Sequence, residues 1–134
     1  ELDQNRLDWL PDDVQTDPAS KTLFWVGCAP YLDALHDDKG LSCTAAVADA
    51  IRILNALGIA PAVRADERCC GHDLLWNGDR PSFSSLAKHN VELVKASGAE
   101  VVVTPSPARS PPGAMGPQVS VTKAGKWAVM KPSW

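Results

Sequence analysis

At 134 residues, with 45% hydrophobic and 22% charged residues and a net charge of −3, the chain has the composition of one globular domain with room for a single core. That balance excludes the basic footprint of a nucleic-acid binder, and no apolar run approaches the roughly 18 residues needed to span a bilayer. Residues Glu1 to Arg6 lack the basic start and apolar stretch of a secretory signal, and without an initiating methionine the chain reads as a segment of something longer.

Residues 1–20 are polar and acidic, broken by Pro11 and Pro18, and are expected to form an irregular linker with one short turn around Leu7 to Leu10. Leu23 to Val26 is a short continuous apolar run suited to a strand buried on both faces. From Ser42 to Leu57, the residues Val47, Ala50, Ile51, Leu54 and Leu57 recur at helical spacing. Ser42 or Thr44 can cap that helix and Gly58 can end it. Pro61 to Arg64 predicts a weaker second strand. A second long helix follows, opened by Pro81, carrying Phe83, Leu86, Ala87, Asn90, Val91 and Val94 on one stripe, and stopped by Gly98. Glu100 to Thr104 predicts a third strand. The order β-α-β-α-β over residues 21–104 implies an α/β domain in three layers, a parallel sheet flanked by helices.

Residues 105–134 differ in kind. All 16 acidic residues precede Pro105, whereas the tail holds six of the 11 prolines, the cations Arg109, Lys123, Lys126 and Lys131, and no clear period. Two readings stay open: a divergent, poorly ordered tail with too little apolar surface to fold, or translation out of frame.

The chemistry concentrates in the cysteines. Four cysteines in a chain without secretory features point to metal or redox chemistry rather than a disulfide framework. Cys28 closes the first strand run, Cys69-Cys70-Gly71-His72 follows the second, and Ser106 follows the third. Strand C-terminal ends share one edge of a parallel sheet, so three distant segments are expected to meet there. Two adjacent cysteines with a third at a strand end gather soft thiolates of the kind that hold iron or iron–sulfur.

With these residues in place, the stretch from Lys21 to Thr104 resembles the cysteine-rich CCG domain of the family that includes iron–sulfur subunits of heterodisulfide reductase and glycolate oxidase. In that family a cysteine is followed by Cys-Cys-Gly and later by Cys-x-x-Cys. Here 40 residues separate Cys28 from Cys69, slightly long, with His36 to Gly40 as the expected extra loop. The 35 residues between Cys70 and Ser106 fit the family spacing. The run from Cys70 to Asp79 is typical of one branch. Ser106 and Arg109, however, occupy the Cys-x-x-Cys positions. A serine oxygen is a poor substitute for a thiolate on iron, and arginine cannot ligate.

The resemblance implies an iron–sulfur, electron-transferring module of an oxidoreductase. In the family the motif is associated with a non-cubane [4Fe-4S] cluster held by five cysteines, of which Cys28, Cys69 and Cys70 are the ligand candidates here. It implies other oxidoreductase subunits or a ferredoxin-type donor as partners, and a cytoplasmic setting or one at the periphery of a membrane complex. Two further readings remain beside it. Cys28, Cys69 and Cys70 with His72 or Cys43 can hold structural zinc, or the domain is a metal-free relic whose Cys69-Cys70 pair is a reactive dithiol.

Among the remaining residues, Cys43 is expected to be a packed core thiol at the start of the first long helix. His72 is expected to shape a local turn with Asp73, and Trp76 with Leu74 and Leu75 to pack in the core. His36 and His89 read as loop and solvent-face residues. No Ser-His-Asp arrangement, phosphate-binding glycine loop or paired carboxylates support a hydrolase or kinase.

Overall fold

A computed structural model of the protein describes residues 5–36, 39–40 and 42–105, and the backbone of 120–123. The elements are β1 (Thr22–Phe24), α1 (Ala29–His36), α2 (Cys43–Ala56), β2 (Ala62–Val63), α3 (His72–Trp76), α4 (Arg80–Ala96), β3 (Val101–Thr104) and β4 (Ser120–Lys123). They form a sheet of order β2-β1-β3-β4. The first three strands are parallel, with Leu23 beside both Ala62 and Val102. The expected α/β architecture is present, and β4, which pairs antiparallel with β3, adds an edge strand to it.

The apolar runs of β1 and β3 alternate between two cores, which is why both strands read as continuously hydrophobic. Phe24, Val26 and Val103 pack with Ala29, Val47, Ala50 and Ile51 of α1 and α2 on one face. Leu23 and Val102 pack with Ala62, Leu93, Val94 and Ala99 on the other, beneath α4. Trp9, Leu10 and Val14 of the N-terminal segment lie against the α1/α2 core. Asp17 N donates to Pro61 O at 3.1 Å, and Asn55 exchanges hydrogen bonds with the Gln15 backbone at 2.8 and 2.9 Å.

Local chemistry sets the helix ends. Ser42 caps α2 by accepting from Ala45 N, and Gly58, at φ +77°, turns the chain out of it. Asp79 caps α4 by accepting from Ser82 N, with Pro81 just inside the first turn.

Chain order places the cysteines. β1 leads through α1 and α2 to β2 on one side of it. β2 then leads through α3 and α4 to β3 on the other side. The segments after β1 and β2 therefore come together at the carboxyl edge, where open α/β sheets build their sites.

Candidate metal centre

Cys28 leaves β1 through Gly27, whose φ of +70° turns the chain sharply from strand into α1. The Cys28 carbonyl accepts from Tyr31 N and Leu32 N, both at 3.0 Å, so the residue opens the first turn of α1. Cys69 and Cys70 follow β2 in a loop that ends at Gly71. That glycine sits at φ +77° as the cap of α3, and a Cβ there would meet Phe83 Cδ2 at 3.0 Å. Glycine therefore follows the cysteine pair for two reasons: the left-handed turn, and the closeness of α4.

The result is a cluster of three sulfurs. The Sγ atoms of Cys28, Cys69 and Cys70 all lie within 4.8 Å of one another. Cys28 Sγ and Cys70 Sγ are 3.8 Å apart, and Gly71 N–H points at Cys69 Sγ from 3.4 Å. Cys28 and Cys69 are half-buried, whereas Cys70 is exposed. The Cys28–Cys70 contact, with further help from the His72 backbone N–H, draws the Cys70 thiol down to about 6 against the opposing effect of burial. The same contact and burial push Cys28 upward. Ionising one sulfur of this pair therefore disfavours ionising the other.

Neither proposed extra ligand joins this group. His72 opens α3 and packs its ring against Trp76, with centroids 5.9 Å apart and planes inclined by 60°. Cys43 is half-buried against the α1/α2 core, as expected of a packed thiol, and burial with the nearby Asp33 carboxylate pushes it upward. Ser106 and Arg109 lie outside the described residues. The expected core role of Trp76 is not found: it is 72% exposed and Leu75 41%. Five residues make little more than one turn, so α3 turns only Leu74 partly inward. His89 is half-buried, with Nε2 at 3.0 Å from Asp66 O, rather than on an open face.

Three residues to which the sequence analysis gave no part in the site hold the loops together. Glu67 has a fully buried side chain whose two oxygens accept from Val26 N at 3.2 Å and Gly27 N at 3.1 Å. Arg6 reaches it from the N-terminal segment at 3.4 Å, also donates to Gly27 O, and lies 5.1 Å from the Tyr31 ring centre. Burial pushes the Glu67 carboxyl up to about 7, against the two amides and Arg6, which hold it down. Asn90 of α4 accepts from Arg68 N and donates to Arg68 O and Cys69 O, at 3.1 to 3.2 Å. Its signal was available: a polar residue on the apolar stripe of α4. Glu67 and Arg6 carried no such signal, because their partners come from segments distant in sequence.

Residues 22–108 match the profile of the cysteine-rich domain called CCG. The chain belongs to the CCG family. This CCG domain is 38% identical over 108 residues to a polypeptide of the dihydromethanophenazine:CoB–CoM heterodisulfide reductase of Methanosarcina acetivorans, an alignment covering 76% of the chain and 24% of that protein. The same component of the Methanosarcina mazei reductase is 32% identical over 106 residues, covering 75% and 23%. An uncharacterised iron–sulfur protein of Methanococcus maripaludis is 30% identical over 84 residues, covering 63% of the chain and 15% of its own length. The CCG domain thus spans about a quarter of the reductase subunits it matches. No solved structure matches it. Among the described residues, no helix is long and apolar enough to cross a membrane.

The donor set decides what the CCG site fits. Three thiol sulfurs are soft ligands, suited to iron–sulfur clusters, zinc or copper(I) and unsuited to magnesium or calcium, which take oxygen.

Proposed function

We propose that Cys28, Cys69 and Cys70 hold an iron–sulfur cluster and that the domain passes electrons within a heterodisulfide-reductase-like oxidoreductase. The observation that carries this reading is the meeting of three sulfurs, from segments 40 residues apart, within 4.8 Å. When bound, such a cluster supplies a one-electron store whose potential is set by its ligands, the hydrogen bonds to sulfur and its exposure to solvent.

The chain's own residues prepare the site. The Cys28–Cys70 contact and the His72 N–H draw the Cys70 thiol down and ready it to ionise. Gly71 N–H points at the Cys69 sulfur from the following turn. Exposure of Cys70 leaves one side of the group open to a partner. A five-cysteine, non-cubane cluster needs two more thiolates, and Ser106 and Arg109 stand at those positions of the motif. The set proposed here is therefore three thiolates with an open position, in a partial or degenerate copy of the family site. Partners follow from the relatives' character as reductase subunits: further subunits or a ferredoxin-type donor.

The test is iron, zinc and acid-labile sulfide per chain on protein purified without oxygen. Stoichiometric iron and sulfide that disappear in Cys69→Ser are expected. Zinc alone, or no metal, would overturn the reading.

A further inference from the structure

Two loops that come from separate strands must present sulfurs to one centre, and a metal site tolerates little error in that spacing. One side chain joins the two loops directly. Glu67 stands two residues before Cys69, and its carboxylate accepts from the amides of Val26 and Gly27, the two residues before Cys28. Its side chain has no exposure to solvent, and the Arg6 side chain that pairs with it is 10% exposed. Arg6 also donates to the Gly27 carbonyl, so both polar groups of that residue are tied to the pair.

We infer that Glu67 is a positioning residue that fixes the Cys28 turn against the Cys69-Cys70 loop, and that Arg6 locks it in place. The choice of residue supports this. A buried ion pair is weak evidence for stability, because well-packed apolar residues of similar volume often serve as well or better. An apolar pair would fill the same space, but it would leave the amides of Val26 and Gly27 unpaired and the turn free to shift. On the far side of the loop, Asn90 ties the Cys69 carbonyl to α4. The loop is thus held from both directions, with Glu67 as its link to β1.

The purpose assigned to this link rests on the metal-centre reading, but its test does not. In the full chain carrying Cys43→Ser and Cys69→Ser, only Cys28 and Cys70 remain. Glutathione disulfide oxidises the two thiols to one protein disulfide and is itself reduced to two glutathione thiols. The equilibrium constant measures how strongly the fold holds one sulfur at the other. Adding Glu67→Gln is expected to lower it about tenfold, and Arg6→Gln several-fold, a loss of the size seen when outer-shell partners of metal ligands are removed. Ile51→Val, a core change in α2, serves as the control for lost stability and is expected to leave the constant unchanged. If Glu67→Gln does not fold by circular dichroism, Arg6→Gln decides.

Constants within twofold of the parent for both Glu67→Gln and Arg6→Gln would overturn the inference, as would an equal fall in Ile51→Val. With all four cysteines restored, cobalt(II) titration gives a second reading. About tenfold weaker binding in Glu67→Gln is expected, with a weakened thiolate-to-cobalt absorption band. A parent chain that binds no cobalt would count against the proposed metal centre, while the disulfide equilibrium would still decide the role of Glu67.

Discussion

A single added methyl group measures how tightly the cysteine loop is set. Gly71 and Gly98 both adopt left-handed backbone, at φ +77° and +65°, but only Gly71 has a neighbour where a Cβ would go. Gly98→Ala is expected to cost about 1 kcal/mol, the penalty of a left-handed L-residue. Gly71→Ala adds the displacement of Phe83 and is expected to cost about 1 to 2 kcal/mol more. Urea unfolding of the two variants checks this, and equal costs would show that α4 yields to the loop freely. At this scale the cysteines were legible because a vicinal pair is rare and its chemistry depends on residue type alone. Glu67 and Arg6 were not, since an acidic and a basic residue in polar surroundings look like ordinary solvated charge until the fold brings them to Gly27. Trp76 misled in the opposite sense: its apolar neighbours suggested a core that a five-residue helix cannot reach.

Among the elements, legibility followed burial. α2 and α4 each bury a stripe, and their spacing showed in the sequence within a residue or two of the observed ends. α1 fully buries only Ala29 and leaves Tyr31, Leu32 and Leu35 well exposed, so no hydrophobic period marks it. What fixes α1 is polar. The Asp33 carboxylate accepts from Cys43 N, Thr44 N, Thr44 Oγ1 and Ser42 Oγ, joining α1 to the first turn of α2. Burial acts to raise the Asp33 carboxyl, but these donors, led by Thr44, outweigh it and hold the group below the ordinary carboxylate value. A folded value below the unfolded one gives stability that is present above the unfolded pKa and lost as pH falls through the folded one. Asp33→Asn is therefore expected to lose about 1 kcal/mol near neutral pH. The gap to the parent should close as the pH drops through the depressed Asp33 value. A gap that stays constant from neutral to strongly acidic pH would mean that the carboxylate charge contributes nothing to the link.

For the whole molecule, the decisive fact is that the N-terminal segment reaches back to the carboxyl edge of the sheet, where the cysteines lie. The strand order β2-β1-β3-β4 was partly legible, since three short apolar runs separated by two helical stripes allow few parallel arrangements. The part played by the polar N-terminal segment was not. Its scattered apolar residues show no period, yet Trp9, Leu10 and Val14 pack against the α1/α2 core. Asp13 pairs with Arg52 of α2 at 2.7 Å, and Arg6 closes over Glu67 at the cysteine edge. The partial burial of the three apolar residues contributes on the order of 4 kcal/mol, taking somewhat less than the full transfer value for each side chain. Against a typical domain stability of about 5 to 15 kcal/mol, that loss decides whether the rest stays folded. A chain beginning at Ala19 is expected to melt at a much lower temperature than the parent and to bind a hydrophobic dye, because the α1/α2 core is uncovered. It is also expected to hold metal weakly even where it remains folded, since Glu67 then lies buried without its cation. Unchanged melting and metal content in that variant would mean that residues 5–18 rest on the domain without supporting it. The cysteine edge would then be set by β1, β2 and α4 alone.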